Sequence, residues 1–233
     1  LTVAIKGRIA VYIGESMARQ YTLFDVPVYF KDKFALPIDL EYVLQKIEAA
    51  VPSEFLYGID SIMVGEFEDF KERSINAKLE DGAIYVSHEQ DDEDDLIDDL
   101  VHEIAHNVED LHGDTLYSDD SIEVEFLGKR KRLYSLLKGE HGANVIPWLA
   151  SFLQSGYNRR FDDFLFKVVG YPLLTSLTMG LYTSPYGATS LREYFATTFE
   201  EYFLKDAEHV KYTSPAVYTK LRELTRGEDK SYD

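Results

Sequence analysis

One helix constrains this chain more than any other stretch. Ile97, Val101, Ile104, Val108 and Leu111 recur at helical spacing, which predicts an amphipathic helix with one buried face. The acidic run Asp91-Asp92-Glu93-Asp94-Asp95 precedes it. Carboxylates there complement the positive end of the helix dipole, and the run lacks the spacing of a calcium loop. Gly113 is the expected stop. Inside the helix lies His102-Glu103-Ile104-Ala105-His106. Histidines four residues apart share a helix face, so both imidazoles can reach one metal ion. Glu103 is turned aside from them, placed to take a proton from a water rather than to hold the metal.

Composition narrows what surrounds that helix. Apolar residues make up 45% of the 233-residue chain, enough for the core of one generous domain. A net charge of -18 disfavours nucleic-acid phosphates and anionic lipid as partners. Cysteine is absent, which excludes disulfides, thiolate metal sites and cysteine nucleophiles. Val168 to Ala188 is uncharged, but glycines and prolines interrupt it, so a buried segment is expected rather than a membrane span. The opening residues Leu1 to Lys6 show no secretory signal, and the compartment stays open between secreted and intracellular.

The rest of the chain reads as strands first and helices later. Residues 2–5, 8–13 and 26–30 are β-rich. Pro37 starts a helix with Leu40, Val43, Leu44, Ile47 and Val51 on one face, and Pro52 ends it. Residues 59–65 form a strand. Residues 76–79 and 83–87 form a hairpin around Asp81-Gly82, a strong turn signal. Residues 113–185 are harder to read. Tyr117 to Glu125 looks looped or weakly β, Gly128-Lys129-Arg130-Lys131-Arg132 looks like a solvated turn, and residues 147–153 and 161–169 look helical. A strong amphipathic helix follows Ser190, and a last one follows Ser214-Pro215 and closes near Gly227.

A hydrolytic metal site needs a third protein ligand. His112 stands at the metzincin position, with Met179 as a possible Met-turn. The glycine that pattern needs is replaced by Glu109, and in an unbroken helix His112 points away from the histidine face. Met179 is therefore expected in the core. Glu193 is the other candidate, on the helix after Ser190. It also fits a capping box with Ser190, and spacing does not choose between the two roles.

The stretch Ser184-Pro185-Tyr186-Gly187 through Glu193-Tyr194-Phe195-Ala196-Thr197-Thr198-Phe199 resembles the lethal-factor-like peptidases, a family that includes the Pro-Pro endopeptidases. Its pattern is Tyr-Gly, a glutamate seven residues after the tyrosine, then Phe-Ala-x-x-Phe. The His102–His106 helix, the hairpin before it and the last helix also match. The resemblance covers roughly residues 55–112 and 184–225. It implies a zinc endopeptidase with one zinc on His102, His106 and Glu193, Glu103 as general base and Tyr186 donating to the oxyanion.

The expected fold is α+β and zincin-like. A small mixed N-terminal sheet and the active-site helix fill residues 1–112, and a mostly helical lobe fills 113–233. Ala83, Ile84, Tyr85, Val86 and Ser87 would form an edge strand on which an extended peptide substrate could pair, or an edge strand with only a structural role. The sequence departs from the family in two places. Thr197 replaces a common acid four residues after the ligand glutamate, with Glu200 or Glu201 as substitutes. The long spacing to Glu193 implies an insertion within 113–183. Residues 1–50 match no pattern. The alternatives are a zincin that binds a protein partner without cleaving, and a metzincin-like protease using His112.

Overall fold

The structure, a computed structural model, describes residues 4–5, 8–9, 21–73, 75–141 and 149–226. The chain divides into two compact units, Leu1–Ile104 and Ala105–Asp233, with the division falling inside one helix. The architecture is mixed α+β.

In the first unit, β1 (Ala4–Ile5) and β2 (Arg8–Ile9) form a short antiparallel ladder. The expected continuation through residues 10–13 lies outside the described residues. A five-stranded sheet follows, built from β3 (Tyr21–Leu23), β4 (Val26–Phe30), β5 (Ser61–Gly65), β6 (Ala77–Glu80) and β7 (Ala83–Ser87). Its order is β3-β4-β5-β7-β6. The inner pairs are parallel and the outer pairs antiparallel. Parallel neighbours require crossovers. Helix α1 (Leu40–Ala50) lies between β4 and β5 in sequence, and α2 (Glu68–Arg73) follows β5. Asp39 caps α1 by accepting from Tyr42 N at 3.1 Å, and Leu40, Val43, Leu44 and Ile47 are buried as the spacing predicts.

The hairpin joining β6 and β7 turns where expected. Asp81 (φ 50°) and Gly82 (φ 73°) both take the left-handed conformation that a two-residue turn needs to match strand twist. The edge position expected for Ala83, Ile84, Tyr85, Val86 and Ser87 is overturned, because these residues pair on both sides. Ser61 to Gly65 lies opposite all five in parallel, and Ala77 to Glu80 pairs with Val86 back to Ala83. The side chains give the reason. β7 buries Ala83, Ile84 and Val86, whereas no residue of β6 is fully buried and the strand carries Lys78 and Glu80. Charged residues favour the outside of a sheet, so β6 takes it.

Helix α3 (Glu93–Leu116) begins as its composition predicts. Asp92 Oδ1 accepts from Asp95 N at 3.0 Å, and Glu93, Asp94 and Asp95 fill the first turn. Leu96, Ile97, Leu100, Val101 and Ile104 are buried. The helix does not stop at Gly113. Its backbone leaves helical geometry at His112 (φ −116°, ψ 15°) and resumes to Leu116. Leu111, expected on the buried face, is exposed.

The second unit is helical among its described residues. After α3 come α4 (Ser121–His141), α5 (Leu149–Phe152) and α6 (Arg159–Asp163), which continues as a π-helical turn to Val169. Then follow α7 (Tyr171–Thr178), a 3-10 turn at Pro185–Ala188 and α8 (Leu191–Glu200). A π-helical turn (Glu201–Lys205), α9 (Ala207–Thr213) and α10 (Pro215–Arg226) complete it. The start of α10 is capped from a distance, since Ala216 N donates to Glu125 Oε2 at 2.9 Å. The expected closure near Gly227 lies outside the described residues.

Three expectations are corrected here. The stretch read as looped enters α4 at Ser121, after Asp120 turns the chain at φ 56°. The basic cluster is not a solvated turn: it lies inside α4, and Lys129 and Arg130 are buried. Lys129 Nζ donates to Leu181 O at 2.8 Å, to Thr213 O and to Ser214 Oγ. Arg130 donates to the carbonyls of Ala188, Thr189, Ser151 and Gln154. The uncharged stretch 168–188 is only partly buried, and Met179, expected in the core, is 79% exposed. Among the described residues no helix is long and apolar enough to cross a membrane.

Candidate metal centre

The site starts from a stripe on α3. Asp99, His102, His106 and Glu109 succeed one another at three- and four-residue steps, so they follow one line along the helix. Glu193 arrives from the first turn of α8. Ser190 fixes that turn by accepting from Glu193 N at 3.2 Å. Capping and ligand geometry are therefore compatible: the Glu193 backbone serves the cap, while its Oε2 lies 3.9 Å from His106 Nε2. One ligand atom each from His102, His106 and Glu193 falls within 4.8 Å of the other two.

The donor set fits zinc. Two imidazole nitrogens and a carboxylate oxygen are a known three-ligand combination that leaves a position open. Tetrahedral bonds of about 2.1 Å place ligand atoms about 3.4 Å apart. The observed spacing is therefore slightly wider than a filled site, within reach of side-chain rotation. His106 and Glu103 are buried, and His102 and Glu193 are half-buried.

Tyr186 sits on the 3-10 turn, where Ser184 Oγ accepts from Tyr186 N at 3.3 Å and Tyr186 O accepts from Thr189 Oγ1 at 2.8 Å. Burial pushes its phenol far above the usual tyrosine pKa, and the Glu193 carboxylate adds to the shift. The hydroxyl therefore stays protonated and able to donate. Gly187 lets this turn meet α8: a Cβ there would come within 2.6 Å of Thr197 Oγ1.

Carboxylates flank the histidines. Burial pushes Asp99 up to about 7, and the hydrogen bond from Gln90 and the nearby His102 pull against it. Gln90 Nε2 donates to Asp99 Oδ2 at 3.1 Å. Beyond His106, Glu109 Oε2 lies 3.9 Å from His106 Nδ1 and 3.8 Å from Arg192 Nε. Glu109 Oε1 accepts from Tyr117 OH. Arg192 is held in turn by Asp110, with Nη1 donating to Oδ1 at 2.8 Å.

Of the expected site residues, the structure gathers His102, His106 and Glu193, and the Glu193 charge adds to burial in raising the Tyr186 phenol. The metal-capable group forms without His112, which lies at the α3 kink. Ala83 to Ser87 offers no open edge. Thr197 turns its hydroxyl to Glu193 O at 2.8 Å, and Glu201 pairs with His209 Nδ1 at 2.9 Å. Glu109, Tyr117, Arg192 and Asp99 were missed from the sequence. The signal available for Asp99 and Glu109 was their spacing: each stands three residues outside a histidine on the same helix. No protein-family model, curated protein or solved structure matches this chain.

Proposed function

We propose that the chain is a zinc-dependent endopeptidase of the lethal-factor-like, zincin type. The observation that carries it is the convergence of His102, His106 and Glu193, with ligand atoms within 4.8 Å, around a helix that buries Glu103. Zinc held there supplies Lewis acidity and lowers the pKa of a coordinated water towards about 7. The chain's own groups do the rest. Glu103 takes a proton from the attacking water and returns it to the leaving amine nitrogen. The Tyr186 hydroxyl, kept protonated, donates to the oxygen that gains charge as the carbonyl carbon becomes tetrahedral. The substrate is a protein or peptide. If it binds by strand addition, β6 is the strand of this hairpin at the sheet's outside among the described residues.

Metal analysis tests the ligand set. Wild type and His112→Ala each carry one zinc per chain, and Glu193→Ala carries none. Glu103→Gln keeps zinc and loses peptide cleavage. A wild-type protein that gains no zinc on addition overturns the assignment. A second reading, a zincin that binds a partner without cutting, draws on Thr197, whose hydroxyl is turned to Glu193 O where the family often has an acid. Zinc retention with no cleavage of a broad peptide library, proline-rich peptides included, favours it; cleavage that depends on Glu103 excludes it.

A further inference from the structure

A histidine that binds a metal through one ring nitrogen usually donates its other N–H to a carboxylate, a backbone carbonyl or a water, which fixes the tautomer and ring direction. His106 is oriented for such an arrangement. Its Nε2 faces Glu193 Oε2 at 3.9 Å, and its Nδ1 faces Glu109 Oε2 at 3.9 Å. The two carboxylates therefore lie against opposite nitrogens of one ring. We propose that Glu109 is the positioning residue for His106, accepting its Nδ1–H and holding Nε2 towards the metal. The inference rests on the zinc-site reading of His102, His106 and Glu193.

Three observations support the role. Glu109 is mostly buried, at 12% side-chain exposure, and its Oε2 accepts no hydrogen bond among the described residues. A buried carboxylate oxygen without a donor is costly, and the Nδ1–H needs to approach by only about 1 Å to supply one. The other oxygen, Oε1, is anchored by Tyr117 OH, so the carboxylate is held with Oε2 towards His106. Arg192 Nε stands 3.8 Å from the same Oε2, beyond hydrogen-bond reach, and so leaves it open towards His106. Thr197 brings no carboxylate to this role, and its hydroxyl donates to Glu193 O at 2.8 Å. The supporting acid is thus carried one turn beyond the second histidine, on α3 itself.

The test compares zinc affinity, by competition with a chromophoric chelator, in wild type, Glu109→Gln and Tyr117→Phe. Glu109→Gln keeps the volume and an acceptor for Tyr117 OH while removing the charge. Its zinc dissociation constant should rise about 10- to 100-fold, with the metal-free melting temperature little changed. The visible spectrum of the cobalt(II)-substituted protein should shift as His106 reorients. Tyr117→Phe, which frees Oε1, should weaken zinc about fivefold, the equivalent of one hydrogen bond. Wild-type zinc affinity in Glu109→Gln overturns the proposal. If Glu109→Gln does not fold, unchanged affinity in Tyr117→Phe overturns it. A wild-type protein that binds no zinc instead refutes the underlying metal site.

Discussion

Replacing Arg130 with methionine should cost the second unit several kcal/mol, although the residue lies in a basic cluster of surface-like composition. Arg130 is 1% exposed. Burial pushes its guanidinium down to about 10 from the usual 12.5, a penalty of about 3 kcal/mol on the charged form. Four carbonyls offset that penalty. Nη1 donates to Ala188 O and to Thr189 O at 3.1 Å, and Nη2 donates to Ser151 O at 2.9 Å and Gln154 O at 3.4 Å. Hydrogen bonds to a charged donor are each worth about 1.5–3 kcal/mol. The ring of Phe161 adds to this, with its centroid 3.9 Å from Cζ. Met fills the volume, removes the penalty and leaves the carbonyls without donors, so the net loss is about 3–5 kcal/mol. Lysine recovers less than half, because one ammonium cannot fork to two pairs of carbonyls. Ala188 and Thr189 directly precede the Ser190 cap of α8, so Arg130→Met should also loosen the turn that carries Glu193 and weaken the proposed zinc site. Urea unfolding followed by circular dichroism measures the stability change. A change within about 1 kcal/mol would falsify the reasoning.

Two further outcomes follow from the same unit. Burial pushes Lys129 down from 10.5 to about 8. Below pH 8 the charge is present in both states and its penalty is felt in full. Between 8 and 10.5 the folded chain releases a proton that the unfolded chain keeps, so stability rises with pH. Denaturation from about pH 7.5 to about pH 9.5 should show wild type gaining up to about 2 kcal/mol relative to Lys129→Met; parallel profiles would refute the shift. At Gly187, an added Cβ meets Thr197 Oγ1 at 2.6 Å, so Gly187→Ala should cost about 1–3 kcal/mol. Thr197→Ala in the same chain should restore part of that in a double-mutant cycle, and strict additivity would contradict the contact.

Local rules made much of this protein legible. The α1 stripe, the Asp81-Gly82 turn, the acidic start of α3 and the Ser190 cap all depend on residues a few positions apart, and all appear where their chemistry puts them. Strand order is not local. The hairpin signal locates β6 and β7 but does not say which of them meets β5, and that pairing decides which one is an edge. Charge misled for a related reason. Lys129 and Arg130 look solvated because nothing near them in sequence can satisfy them, and their acceptors come from residues 151 to 214. The histidine pair of the metal-capable group was legible because a helix dictates the His102–His106 spacing, whereas spacing left Glu193 open between ligand and cap and only the family resemblance pointed to it. Glu109 stood on the same stripe but was weighed only as a missing glycine.

The two buried cations on α4 also bear on how the second unit acquires its structure. Lys129 waits for Thr213 across 84 residues, and Arg130 waits for Ala188 across 58. As the chain leaves the ribosome, α4 emerges with two charges whose acceptors have not yet been made. Closing such long loops precedes the gain in bonding, which slows folding. A nascent or truncated chain that ends before α9 has no Thr213 or Ser214 carbonyl and hydroxyl to offer Lys129. Of the three acceptors, such a chain retains only Leu181 O. The last helices therefore complete the acceptor set of a cation buried in α4 rather than standing as an appendage.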